Sequence, residues 1–305
     1  MDRPLSIGMV GGGLMGAGIA QVFATAGHRV TVFEPSPEIR GSVRSRIIDL
    51  RRQYGLDEAL GTPVTVTGDL RDAVAHADYV TEAAPEKLEL KRSIFAELVH
   101  LAPTEAVLAT NTSVIPIHRI ADGLPTAHRI VGTHWWNPAG LIPLVEVVQS
   151  AQTSVATVAF TMELLRSVGK APAHIAKDVP GFVANRLQHA LWREAIAMVG
   201  EGVCDASTLD ACVKNSFGLR LAVLGPLENA DLVGLDLTLD IHRTIIPELN
   251  RSSGPDPYLE AQVAAGRLGC KTGAGFRTWS PIQTAELRAR LAAHLLDALR
   301  RRAAP

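Results

Sequence analysis

His134 and Glu146 stand twelve positions apart, the first in Thr133-His134-Trp135-Trp136-Asn137-Pro138 and the second in Leu144-Val145-Glu146-Val147-Val148. An imidazole titrates near pH 6.5 when unperturbed, close to working pH, so it suits the removal of a proton from an alcohol. A carboxylate inside a strongly apolar run is costly unless it is paired. Pairing with His134 would meet that demand, raise the basicity of the ring, fix its tautomer and stabilise the imidazolium formed when it takes a proton. Two further polar groups suit hydrogen bonding to a substrate oxygen. Ser113 follows an apolar run in Ala109-Thr110-Asn111-Thr112-Ser113, and Asn185 lies on the first turn and a half of a helical pattern in Pro180-Gly181-Phe182-Val183-Ala184-Asn185-Arg186. A helix cap at Ser113 and a buried amide tying two domains together at Asn185 are the competing structural roles.

Such groups need elements to converge them. The first 150 residues alternate short β-type runs (5–10, 29–33, 77–81, 106–109, 129–133 and 144–148) with helical patterns, the signature of βαβ units and a mostly parallel sheet. Polar residues at the carboxyl ends of such strands line a ligand crevice, which is where Ser113 and His134 fall. The run 7–10 ends in Gly11-Gly12-Gly13-Leu14-Met15-Gly16, and a helical pattern continues to Ala26 before Gly27. Strand, Gly-x-Gly-x-x-Gly and helix occur here in the order of a Rossmann-type dinucleotide site. Gly11 permits the tight turn, Gly13 lets backbone approach a pyrophosphate, Gly16 lets helix pack on strand, and free N–H groups at the helix start, Leu14 and Met15 among them, receive the anion. Glu34 closes the second β run eighteen residues after Gly16. An acid there accepts hydrogen bonds from ribose hydroxyls and repels a 2′-phosphate, so the expected cofactor is NAD rather than NADP.

A helical pattern at 154–168 precedes Lys177-Asp178-Val179-Pro180-Gly181, which marks a domain junction; beyond it the periodicity is helical (183–199, 207–215, 232–244 and 283–301). The expectation is an α/β domain over 1–180 and an all-α C-terminal domain over 181–305. The 30 basic and 31 acidic side chains leave a formal net charge of -1, which gives no ground for general nucleic-acid binding. Three cysteines (Cys204, Cys212 and Cys270) without CxxC spacing argue against a disulfide framework or a zinc site and for a reducing compartment. No apolar stretch reaches the roughly 20 residues a membrane span needs, and the N-terminus lacks a signal-peptide pattern; a cytoplasmic location is expected.

Taken together, these segments resemble the 3-hydroxyacyl-CoA dehydrogenase family over nearly the whole chain. The resemblance also rests on Gly225-Pro226-Leu227-Glu228-Asn229-Ala230-Asp231 and Lys271-Thr272-Gly273-Ala274-Gly275-Phe276. It implies hydride transfer between NAD and the 3-hydroxy carbon of a 3-hydroxyacyl-CoA, with His134 as base, Glu146 as its partner, and Ser113 and Asn185 holding substrate oxygens. It further implies that Glu86, Lys91, Asn137 and Lys271 lie near the cofactor, and that the helical domain forms a homodimer. Two departures point elsewhere. Trp135-Trp136 stands where acyl-CoA enzymes usually carry two phenylalanines, and residues 39–67 are shorter than the helical hairpin that contacts coenzyme A in the family, without its lysine-rich stretch. Both features are similar to relatives acting on free hydroxy acids, such as gulonate, carnitine and pyridine-carboxylate dehydrogenases. Two rivals are a lens-type structural relative without turnover, which has no need of the four polar groups together, and a hydroxyisobutyrate-type dehydrogenase, which uses a lysine that 183–199 lacks.

Overall fold

The computed structural model describes residues 3–58 and 60–303. Two compact units divide the chain: Met1–Asn185 together with Arg290–Pro305, and Arg186–Ala289.

In the first unit β1 (Ser6–Val10), β2 (Arg29–Phe33), β3 (Val64–Thr67), β4 (Tyr79–Glu82), β5 (Val107–Thr110), β6 (Ile130–Trp135), β7 (Leu144–Val148) and β8 (Ala171–Ile175) form one sheet in the order β3-β2-β1-β4-β5-β6-β7-β8. Every pair is parallel except β6 and β7, which run antiparallel. The order changes direction between β1 and β4, and crevices at such a switch point lie beyond the carboxyl ends of the strands. The sheet carries a core on each face, because alternate strand residues point to opposite sides. Val131 and Val147 join Ile7, Met9 and Phe23 on one face, while Ile130 and Val148 join Val80, Phe95 and Leu108 on the other.

Local chemistry sets the helix starts. Ser36 accepts from the Ile39 N–H at the head of α2 (Pro37–Gln53), with Pro37 in the first turn, and Ser154 accepts from Thr157 at the head of α6 (Val155–Ser167). The glycine loop leads into α1 (Leu14–Thr25), whose cap residue Gly13 has no side chain to satisfy the first N–H groups. Strands β3 and β8 have no counterpart among the expected β runs, and β8 carries Pro172, which an edge strand tolerates. The tail helix, α13 (Pro281–Ala303), enters the first unit from Arg290, where Leu295, Leu296 and Leu299 pack on the core. The sequence grouping had kept this tail with the helical part.

The second unit continues α7 (Ala184–Gly200) and adds α8 (Ala206–Lys214), α9 (Phe217–Arg220), α10 (Pro226–Val233), α11 (Leu235–Ile245) and α12 (Pro257–Ala264); isolated bridges at Gly269, Ala274 and Thr278 are its β content among the described residues. No helix among the described residues is long and apolar enough to cross a membrane.

Candidate active site

The antiparallel turn-back of the sheet explains the twelve-residue spacing: His134, near the end of β6, is the direct cross-strand partner of Glu146 in the middle of β7. His134 Nδ1 lies 2.7 Å from Glu146 Oε2, with both side chains almost fully buried. Because a carboxylate only accepts, Nδ1 carries a proton, and in the neutral ring Nε2 keeps the lone pair. The other carboxylate oxygen, Oε1, accepts the backbone N–H groups of Val183 at 2.9 Å and Ala184 at 3.0 Å, at the start of α7. Burial by itself pushes the Glu146 carboxyl up; the hydrogen bonds from His134, Ala184 and Val183 outweigh it and hold the group below its ordinary value of 4.5. The imidazole makes tilted contacts with the rings of Trp136 and Phe182, with centroids at 5.2 and 5.6 Å.

Ser113 is exposed in the loop after β5, and Asn185 donates from Nδ2 to its backbone carbonyl at 3.1 Å. The two residues are thereby brought together within the first unit. Glu86 holds the same loop, its Oε1 accepting from the Thr112 hydroxyl at 2.5 Å and from the N–H groups of Ser113 and Val114 at 3.0 and 3.1 Å. Asn137 is exposed beyond β6, next to the cis Asn137-Pro138 bond.

Lys91, expected near the cofactor, is fully buried in α4 (Leu88–Leu101), and its ammonium is already occupied. Nζ donates to Glu82 Oε1 at 2.8 Å, Glu82 Oε2 at 2.9 Å and the Asn111 carbonyl at 3.0 Å. Glu82 also accepts from the Thr110 hydroxyl and the Ala84 N–H. Burial drives the Glu82 carboxyl upward against the opposing pull of Lys91. Asn111 in turn accepts the Trp135 N–H on its side-chain oxygen. The pair therefore binds the ends of β4, β5 and β6 to one another and sets the loop that carries Ser113. Glu82 was not singled out from sequence, although an acid closing the apolar strand Tyr79-Val80-Thr81 with a lysine nine residues on was a usable signal. Lys91→Met should lower unfolding free energy by about 3–5 kcal/mol, since it strands a buried carboxylate; chemical denaturation that shows a loss under about 1 kcal/mol would contradict this assignment.

The glycine loop fits a dinucleotide. Gly11 adopts φ 101°, and a side chain on Gly16 would fall 1.9 Å from the Gly11 carbonyl oxygen, so neither accepts a Cβ. Around Gly13 nothing lies within 4 Å of a would-be Cβ, leaving open space at the unsatisfied N-terminus of α1, where the first residues are Leu14 and Met15. Glu34 at the end of β2 accepts from the Gly12 N–H at 2.8 Å and from Ser36 at 3.0 Å. A carboxylate has about four acceptor positions, so capacity for ribose hydroxyls remains. Lys271 belongs to the second unit, on the wall of a cavity of about 660 Å³ shared with Trp192 and Phe276. Among the described residues no group of His, Cys, Asp or Glu is arranged to hold a metal.

Residues 6–179 match the family described as 3-hydroxyacyl-CoA dehydrogenase, NAD binding domain, and residues 181–279 match its C-terminal domain. The 5-formyl-3-hydroxy-2-methylpyridine 4-carboxylate 5-dehydrogenase of Mesorhizobium japonicum is 34% identical over 297 residues, covering 95% of this chain and 96% of its own. A 3-hydroxybutyryl-CoA dehydrogenase of Mycobacterium tuberculosis is 38% identical, covering 91% and 99%. A crystal structure of a 5-formyl-3-hydroxy-2-methylpyridine 4-carboxylic acid 5-dehydrogenase, described as an NAD⁺-dependent dismutase, superposes with a TM-score of 0.90 at 34% identity over 98% of both chains. The chain belongs to the 3-hydroxyacyl-CoA dehydrogenase family and is an NAD-dependent oxidoreductase.

Proposed function

We propose that the chain oxidises the secondary alcohol of a small free hydroxy acid, with His134 as the base. One observation carries the reading: His134 Nδ1 is committed to Glu146 at 2.7 Å, which leaves Nε2 as a proton acceptor at the carboxyl end of the sheet. Bound NAD supplies the hydride acceptor. His134 Nε2 takes the hydroxyl proton, Glu146 balances the charge that forms on the ring, and the Ser113 hydroxyl and Asn185 amide hold the substrate oxygens. In the reductive direction the same nitrogen returns its proton to the ketone oxygen. Gly11, Gly13, Leu14, Met15 and Gly16 would receive the pyrophosphate, and Glu34 the adenosine ribose. Glu86 and Lys91 would serve the cofactor side through the loop they set, Asn137 would stand near the nicotinamide end, and Lys271 is assigned to the cofactor by family resemblance.

The free-acid substrate is favoured by the segment after β2. Here α2 is a single helix, and among the described residues between it and β3 there is no second one, where the family's coenzyme A contact is a helical hairpin. Likeness over 98% of both chains to an enzyme named for a formyl-pyridine carboxylate supports a free carboxylate over a thioester, the secondary alcohol being assigned from His134 and the family. The second reading is a 3-hydroxyacyl-CoA substrate, supported by the family motifs and by the 3-hydroxybutyryl-CoA relative. Following NADH consumption with acetoacetyl-CoA beside free 3-oxo acids separates them. Faster turnover of a free acid is expected, and strong preference for the thioester would overturn the first reading in favour of the second.

A homodimer formed through the helical unit is part of the proposal. Leu235, Leu239, Ile241 and Ile245 of α11 are all about half exposed or more, an apolar surface of the kind that subunit contacts cover. Light scattering should give twice the chain mass; a monomer would remove this point.

A further inference from the structure

Phe182 is the one described residue other than glycine with a positive φ, at 50°, and it follows Gly181 at 74°. Left-handed backbone is unfavourable for a residue with a Cβ, and such conformations persist where the surroundings impose them. Here the gain is directional. The Phe182 N–H closes the turn onto the Val179 carbonyl at 3.0 Å, and the next two N–H groups, of Val183 and Ala184, converge on the single oxygen Oε1 of Glu146. With Oε1 filled, Oε2 is the oxygen left for His134. The phenyl ring locks the turn: it is 1% exposed, packed in the core that includes Val148 and Ile130, and 5.6 Å from the imidazole.

We propose that the left-handed turn at Gly181–Phe182 is a positioning device for the base, and that Phe182 is a positioning residue which orients Glu146 through the Val183 and Ala184 N–H groups. The proposal rests on the assignment of His134 as base. Through this turn the carboxylate presents one oxygen to Nδ1, so that the proton stays on Nδ1 and the acceptor pair on Nε2. If Glu146 merely capped α7, any well-packed apolar residue at 182 would serve.

Leucine and isoleucine separate these alternatives, because they have the same atoms but β-branched isoleucine is far less compatible with positive φ. Two-bond ¹H–¹⁵N spectra of histidine-labelled protein read which ring nitrogen of His134 carries the proton, with His134→Gln used to assign the signal. Phe182→Leu should keep kcat within about threefold and keep the Nδ1–H tautomer. Phe182→Ile should lower kcat about tenfold or more, leave KM for NAD within about twofold, and mix the tautomers. Should Phe182→Ile fail to fold, Gly181→Ala places a Cβ at φ 74° and is expected to act in the same direction. Folded Leu and Ile variants with equal kcat and the same tautomer would overturn the proposal. A changed tautomer with unchanged turnover would sustain the positioning role and instead remove His134 from the chemistry.

Discussion

Alanine at position 134 is expected to lower kcat by about 10²–10⁴-fold, the range over which a positioned general base acts, while the affinity for NADH stays within about twofold. The separation follows from geometry. His134 sits at the end of β6, whereas the groups that fit the cofactor's phosphates and ribose lie at Gly11–Gly16 and Glu34, at the ends of β1 and β2. The loss should therefore fall on the proton-transfer step. Fluorescence titration of NADH beside steady-state rates would check it, and unchanged kcat would remove His134 from its role.

Glu146→Gln is expected to cost about as much, and the structure says why an isosteric change is so damaging. The position of Oε1 accepts two backbone N–H groups, so an amide must place its oxygen there and turn its NH₂ toward His134. His134 Nδ1 then has to accept, the ring proton moves to Nε2, and the lone pair needed for the substrate proton is gone. A fall in kcat of about 10²-fold or more is expected, with little change in KM for NAD. Stability gives an independent readout. The folded carboxyl of Glu146 titrates below its ordinary 4.5, so its contribution is fully present above that pH and is lost as pH falls through the lower, folded value. Thermal unfolding of the wild type should accordingly steepen below about pH 4.5, and Glu146→Gln should flatten that part of the curve. A variant with wild-type rates and a wild-type acid limb would make Glu146 a bystander.

Much of this was legible in the residues because the chemistry left an imprint in the pattern. His134 stood out as an imidazole at the end of a β run, and an acid inside Leu144–Val148 demanded a partner that this ring could be. The glycine loop was legible because its spacing reflects sterics: the 1.9 Å approach at Gly16 permits no side chain. The alternation of β runs and helices indicated the sheet apart from its two edges. Val64–Thr67, four β-branched residues in a row, was a usable β signal, whereas Ala171–Ile175 contains a proline that masks its strand character. The reversal of β7 was not readable either, since direction depends on how the connection folds rather than on composition.

Within the site, what escaped were contacts made by backbone and by buried charge. The N–H groups of Val183 and Ala184 have no sequence signature, and their aim at Glu146 depends on the φ of Phe182. Lys91 was read from resemblance as a neighbour of the cofactor, whereas its ammonium is occupied by Glu82 and Asn111. The acid that ends the apolar strand at Glu82, with a lysine nine residues on, signals a buried pair, but the spacing alone does not say which other groups the ammonium meets. Ser113 and Asn185 were each open to a structural role, and the bond between Asn185 Nδ2 and the Ser113 carbonyl shows that Asn185 already has one, beside any contact with substrate.

In the proposed mechanism His134 Nε2 receives the substrate's hydroxyl proton. A crystal structure of the complex with NADH and a non-reacting hydroxy-acid analogue would place the two atoms. The analogue's hydroxyl oxygen is expected within hydrogen-bond reach of Nε2, about 2.6–3.2 Å, with Glu146 still on Nδ1. An analogue whose hydroxyl meets a different side chain, with Nε2 facing no ligand atom, would contradict it.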